Sequence, residues 1–392
     1  MDEMPLATSA GDATAEEVDR SGDIARLPSG ILGAVVLIVL VNLVLGKLRW
    51  DNPPRSRLSA SWQWANCAAE GPEAGAEVLC FGDSLIKLGI VPRVLEERLG
   101  RSSYNLAVLG GPAPASHELL RRVLDRGYRP RAMVVHFSPL LLGMDPKAGL
   151  EWWAGGLRIG DRLALLGRTR DPSMVGSLIV HGLFGSIAAR DAIRSALGLR
   201  SGSSEYVDRL GPEGIEELVV GWTRNQGAQL APREFVPVAG SLPKPYLGRG
   251  WRWAPNPVHA YFVDRFLAMA QEREIPVYWV IPPADAAWLD RNEDVGTVGA
   301  YREYVRGLLG RYEVLTVLDA QKAGWGRRWF RDPIHLNRDG AVRLSGLVAT
   351  AIVDGQGAPA SVDRWIAMDK LDQTRPADDR LADGPITMEG PR

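Results

Sequence analysis

The run Val78-Leu79-Cys80-Phe81 stops at Gly82-Asp83-Ser84 and is followed by Leu85, Ile86 and Leu88. A short apolar run bounded by glycine reads as a buried strand, and the apolar residues beyond Ser84 start a helix. A serine at such a turn is held at the rim of a sheet with its hydroxyl exposed, and the turn points backbone N–H groups toward any oxygen bound there. The tripeptide alone is weak, because Asp and Ser before a helix are ordinary N-cap residues. Its weight comes from a distant second string, Asp332-Pro333-Ile334-His335-Leu336, which supplies a base and a carboxylate to orient it.

Between and around these strings, strands alternate with helices. Strands are expected at Val78–Phe81, Ser103–Val108, Ala132–Phe137, Pro276–Ile281 and Val314–Leu318. Helical spacing is expected at Val91–Leu99, Ser116–Arg126, Val258–Gln271 and Tyr301–Leu309, and Asn337 caps a last helix whose Ala341, Leu344, Val348 and Ile352 share one face. This alternation predicts an α/β fold with a parallel sheet covered on both faces. It breaks between Pro139 and Pro257, which is too long for a loop in a compact domain. Residues 139–256 are therefore expected as an inserted, mostly helical subdomain or lid, between domain halves at 77–138 and 257–354.

The ends read differently. Residues 1–30 and 355–392 are polar and are expected to be disordered, and 51–76 reads as a linker. Ile31–Leu45 is the most apolar stretch, with Asn42 its only polar side chain. Taken over 31–50, with Trp50 at an interface, it reads as a single N-terminal transmembrane helix rather than a cleaved signal peptide. Basic residues after it favour a cytoplasmic C-terminal side. The formal net charge of −1, with basic residues scattered, argues against a nucleic-acid binder. Two cysteines make no disulfide framework: Cys80 reads as core, and a bridge to Cys67 is open only outside the cytoplasm. No metal-ligand spacing occurs, and no cofactor is expected.

Acyl transfer through a hydroxyl nucleophile needs a serine, a base for its proton, a carboxylate to fix the imidazole tautomer, and donors for the oxyanion. Ser84, His335 and Asp332 fit the first three roles. Pro333 keeps Asp332 out of helical geometry, so the carboxylate can fold back toward the ring. Of the other histidines, His117 falls on a helix face and His181 and His259 in or near the insertion, while His136 ends the third strand. Trp152, Trp153, Trp222, Trp251 and Trp253 are either the insertion's core or, with Arg252, a stacking surface for an acidic glycan.

Gly-Asp-Ser early in the folded part, a glycine after the second strand, and Asp-x-x-His before the last helix resemble the SGNH/GDSL hydrolase superfamily. The resemblance covers about 77–137 and 258–353. It implies a flavodoxin-like three-layer sheet, Ser84 as nucleophile, and Asp332 and His335 as its partners. It also pairs Asn105 with Gly110 and makes the N–H groups of Ser84 and Gly110 the oxyanion donors. The family's third motif carries an asparagine that is missing here, where the strand end reads His136-Phe137-Ser138-Pro139-Leu140. Asp83, Asn105, Ser138 and His136 are thus candidate substrate or oxyanion supports. The Ser-Pro pair resembles the membrane-anchored acyl-transfer branch, which contains the D-alanyl lipoteichoic acid transfer proteins and relates to exopolysaccharide acetylation proteins. That branch implies an extracytoplasmic domain, an acyl-ester or glycan substrate and a membrane-bound acyl-donor protein. A serine esterase or acyltransferase is the expectation. Its rivals are a non-catalytic envelope protein that binds glycan or an assembly partner, and a cytoplasmic-facing lipase or thioesterase.

Overall fold

Along the first strand the side chains alternate between two apolar faces, and the whole architecture follows from that alternation. The structure, a computed structural model, describes residues 29–47, 57–147, 150–154, 157–169, 171–183, 212–235, 253–294, 296–355 and 363–369. Its strands are β1 (Val78–Gly82), β2 (Ser103–Asn105), β3 (Ala132–His136), β4 (Val277–Ile281), β5 (Leu315–Asp319) and β6 (Trp365–Ala367). They form one sheet of order β2-β1-β3-β4-β5-β6, parallel at every pairing. The protein is an α/β fold consistent with a flavodoxin-like arrangement, and its order reverses beside β1, where such sheets open a ligand crevice beyond the strand C-termini.

Because successive strand residues face opposite ways, Leu79, Phe81, Met133, Val135, Val277 and Trp279 enter one core, and Val78, Cys80, Val134, Tyr278 and Val280 enter the other. The first core is covered by α2 (Arg57–Glu70), α5 (Ala113–Asp125), α11 (Pro257–Gln271) and α13 (Thr297–Leu309), against which α12 (Ala286–Asp294) packs. The second is covered by α3 (Ser84–Gly89), α4 (Pro92–Leu99) and α14 (Arg338–Gly355). Burying one such aliphatic or aromatic side chain contributes about 1.5–3 kcal/mol, so the sheet centre, sealed on both faces, is the rigid platform for the strand ends.

Several expectations are corrected. Residues 57–70, read as linker, form α2, which buries Ala60, Trp62, Ala65, Ala68 and Ala69. Its packing surface is mostly alanine, so its apolar stripe is faint in sequence. The disorder expected for 355–392 is interrupted by β6. Arg364 donates to the carbonyls of Leu309, Tyr312 and Leu315, and Trp365 donates to Asp319 at 3.0 Å. The rest of that tail, and residues 1–28, lie outside the described residues. Strand β2 stops at Asn105, although the amides of Leu106 and Val108 still reach the Cys80 and Gly82 carbonyls. Cys67 and Cys80 are both free.

A helix, α1, spans Ser29–Lys47. Among the described residues no helix is long and apolar enough to cross a membrane. The expected transmembrane helix is therefore not found, and residues 48–50 of that segment lie outside the described residues.

The region 139–256 is helical where described: α6 (Pro139–Gly143), α7 (Leu150–Trp153), α8 (Ile159–Leu166), α9 (Pro172–Leu183) and α10 (Pro212–Arg224). Its described part packs onto the main core, where Leu142, Trp153, Leu165, Met174 and Trp253 join the sheet and its helices. Trp222 of α10 packs with α2 and α3 instead. The buried Trp153, Trp222 and Trp253 are thus core, not a sugar-stacking surface; Trp251 and Arg252 lie outside the described residues.

Beneath Trp222 lies Lys87, wholly buried on α3, its Nζ 4.7 Å from the ring centroid and without a hydrogen-bond partner among the described residues. Burial pushes its pKa from 10.5 down to about 7. Between those values the unfolded chain holds a proton that the folded chain lacks, so stability rises with pH across that window. Below it the full cost of a buried charge remains. Lys87→Met is expected to raise stability at pH 6 by on the order of 2–3 kcal/mol, after allowance for the lost cation–π attraction. The gain should shrink toward pH 10, as read from urea unfolding midpoints.

Candidate active site

Gly82 ends β1 at φ +137, and a β-carbon there would lie 2.3 Å from the His136 carbonyl oxygen. Only glycine lets β1 run this close to β3 and turn at once into α3. Asp83 caps the helix, its Oδ1 accepting from the Leu85 amide at 2.9 Å. Its Oδ2 accepts from the Ser138 amide at 3.2 Å, tying this turn to the one that follows β3. Ser84 is therefore the first residue of α3, half-buried at the sheet rim.

The second string is braced separately. Phe330 pairs with Leu336 in an antiparallel bridge, the Arg331 amide donates to the His335 carbonyl at 2.9 Å, and the Asp285 amide donates to the Pro333 carbonyl at 2.9 Å. Asn337 closes the loop by accepting from the Gly340 amide at 3.0 Å, as a cap of α14 should. Within the loop, Asp332 Oδ1 accepts from the amides of Ile334 and His335. Its carboxylate accepts from His335 Nδ1 at 2.8 Å. That contact fixes the proton on Nδ1, so the other nitrogen carries the lone pair. The Ser84 hydroxyl donates to that Nε2 at 2.9 Å.

Ser84 and His335 open on a cavity of about 180 Å³ lined also by Gly110, Ser138, Leu141 and Pro283, among others. The volume is below the roughly 300–1,000 Å³ of pockets for drug-sized ligands, which suits a small group better than a long chain. The amides of Ser84 and Gly110 have no hydrogen-bond partner among the described residues, so both are free to donate to an oxyanion. Gly110 adopts φ +61, a left-handed conformation that favours glycine.

The remaining candidates divide. Asn105 is fully buried and faces away from the cavity, its Nδ2 donating to the Ile86 and Ile90 carbonyls and its Oδ1 accepting from the Ala107 amide. It braces α3 and is removed from the substrate-contacting set. Asp83 borders the cavity, but both its oxygens are engaged in holding the turns. The Ser138 hydroxyl caps α6, accepting from Leu141 at 3.4 Å, and its amide is held by Asp83. His136 lines the cavity, buried, with Nδ1 donating to the Val280 carbonyl at 2.7 Å. Burial pushes its pKa down, against opposing pulls from Asp83 and the Val280 contact. His117 and His259 are buried in helix packing. Trp288, Tyr301 and Gln321 also line the cavity and were not singled out by sequence. Gln321 follows β5, so its place just beyond a parallel strand's C-terminus was the available signal.

No protein-family model matches the chain, and no curated protein matches it. Among the described residues no group of acidic, histidine or cysteine side chains is placed to hold a metal ion.

Burial raises the Asp332 pKa, but the hydrogen bonds and charge of His335, with two amides, outweigh it and leave the carboxyl below its ordinary value of 3.8. Its contribution to stability is complete above that value and is lost as pH falls through the lower folded-state pKa. Asp332→Asn is expected to unfold at lower urea than the parent at pH 6, with the gap closing under acid.

Proposed function

We propose that the protein is a serine-dependent O-acyl ester hydrolase or O-acyltransferase of the SGNH/GDSL type, working through an acyl-enzyme on Ser84. The observation that carries this reading is the unbroken chain from Ser84 Oγ to His335 Nε2 and from His335 Nδ1 to Asp332, opening on a cavity. His335 takes the Ser84 proton as the oxygen attacks the acyl carbon. The amides of Ser84 and Gly110 hold the oxyanion. His335 then returns the proton to the leaving alcohol as the ester C–O bond breaks. In the second half-reaction His335 deprotonates water or an acceptor hydroxyl, which attacks the acyl-enzyme and releases Ser84. Asp332 holds the imidazole tautomer and stabilises its cationic form throughout.

The resemblance to the acyl-transfer branch supports a cell-envelope glycan as substrate, a membrane-bound acyl-donor protein as partner, and an extracytoplasmic location. The exposed apolar side chains of α1, among them Leu32, Leu37 and Val44, support membrane attachment. A reporter fused to the C-terminus should be active outside the cytoplasm; activity confined to the cytoplasm would move the reading to a lipase or thioesterase facing inward.

One observation favours the non-catalytic alternative. The Ser138 amide is held by Asp83, and the Ser138 hydroxyl, which accepts from Leu141, keeps only its O–H proton to stand in for the missing asparagine as third oxyanion donor, a donor whose loss costs roughly 10²–10³ in rate. Fluorophosphonate labelling should nonetheless reach Ser84 and disappear in Ser84→Ala. Slow hydrolysis of p-nitrophenyl acetate should be abolished in His335→Ala. Labelling undiminished in Ser84→Ala, or hydrolysis indifferent to His335, would sink the catalytic reading.

A further inference from the structure

The stretch that leads into Asp332 and His335 reads Trp325-Gly326-Arg327-Arg328-Trp329-Phe330-Arg331. Arg327 and Arg328 are exposed, and Arg331 is half-buried. Neighbouring segments add more of the same charge. The Asn337 amide donates to the Trp329 carbonyl at 3.0 Å, which sets Arg338 beside this run. The Arg338 amide donates in turn to the Ala231 carbonyl at 3.0 Å, which brings up the exposed Arg233. From α14, Arg343 lies 4.7 Å from the centroid of the Trp329 ring, and Arg328 lies 4.7 Å from the same centroid. Two acids are paired here, Asp285 with Arg327 at 3.1 Å and Asp339 with Arg233 at 2.9 Å, and Glu234 follows Arg233 in the chain. Arg328, Arg331 and Arg338 have no carboxylate partner among the described residues. The formal net charge of the protein is −1, so this face is a local concentration of positive charge.

The aromatic rings narrow the choice of partner. Trp329 carries the two guanidiniums already named, Trp325 that of Arg343 at 4.9 Å, and Phe235 that of Arg327 at 5.6 Å. Such contacts hold the guanidiniums in place. They also cover the ring surface on which the bases of a single-stranded nucleic acid would stack. A bilayer surface is met by protruding apolar side chains, and among the described residues no large apolar side chain within 325–343 is exposed. Fixed guanidiniums instead match carboxylates spaced along a hydrophilic chain, which they engage through paired N–H donors. The face also adjoins the catalytic base, since the Arg331 amide donates to the His335 carbonyl at 2.9 Å. Resting on the acyl-enzyme reading, we propose that this arginine face seats the glycan substrate of Ser84, and that this glycan is a carboxylate-bearing polysaccharide.

Binding of the full-length protein in detergent to fluorescein-labelled polygalacturonate is measured by anisotropy, with labelled dextran as the uncharged control. Polygalacturonate is expected to bind at least about tenfold more tightly than dextran at about 0.05 M salt, and to lose that advantage near about 1 M. Arg328→Gln with Arg338→Gln should weaken its binding by about tenfold, and lysine at the same two positions should restore most of it. Hydrolysis of uncharged p-nitrophenyl acetate should change by less than about twofold in the glutamine variant, which a role confined to bracing the loop would not predict alongside lost polymer binding. No preference over dextran in the unaltered protein overturns the proposal, and decides alone if the variant does not fold. Polygalacturonate binding unmoved in a folded glutamine variant overturns it too. Phosphatidylglycerol vesicles or oligodeoxythymidylate held as tightly, and released by the same variant, overturn it in favour of a membrane or a nucleic-acid partner. Absence of fluorophosphonate labelling at Ser84 with polymer binding intact removes the acyl-enzyme, and with it the glycan's role as substrate, while leaving the face as its seat.

Discussion

The carbonyl of His136 lies where a side chain on residue 82 would begin, 2.3 Å from an imagined β-carbon. That close approach lets β1 end flush with β3, and the consequences spread from there. Asp83 can then reach both turns, with one oxygen on the amide of Leu85 and the other on that of Ser138. Neither bond involves a flexible partner, because both donors are backbone. Ser84 is thus positioned by the sheet rather than by its own rotamer alone. The imidazole opposite is held in the same manner, through backbone bonds that fasten the 330–337 loop to itself and to Asp285. Two rigid supports, built independently, meet at one hydroxyl–nitrogen distance of 2.9 Å.

Such a construction explains which parts were legible in the sequence. Ser84, Asp332 and His335 stood out because each sits in a short string whose neighbours have their own conformational reasons: a glycine that permits a turn, a proline that forbids a helix. The central strands stood out because burial on both faces makes them continuously apolar. Asn105 misled for the converse reason. Its side-chain amide is spent on two carbonyls of the neighbouring helix segment, a destination that no local pattern reveals. In α2 most of the buried positions, Ala60, Ala65, Ala68 and Ala69, are too small to mark a stripe, and Trp62 is the one large side chain among them. Strand β6 rests on Arg364 and Trp365 reaching back to β5 and the end of α13, which are long-range contacts.

The sequence between β3 and α11 shows a further limit. Its rhythm differs from that of the βα repeat, yet Trp153 and Trp253 lie in the main core and Trp222 packs with α2 and α3. Lys87 illustrates the outcome, since a residue one turn along from the nucleophile is covered by an aromatic ring more than a hundred positions away. Packing the extra helices against both the sheet layers and α3 ties them to the body of the protein.

Strand β2 lies at the border of the sheet, a place where unpaired amides usually invite another chain. Here the outward-facing donors are already taken: the Ser103 amide goes to the Glu96 carboxylate at 2.9 Å and the Asn105 amide to the Gln226 carbonyl at 2.9 Å. Gly227 makes the second contact feasible, since any larger residue would collide with the Asn105 oxygen. Self-association by sheet extension is therefore blocked along this border, and a crowded solution of the protein has one fewer route to fibrous aggregation.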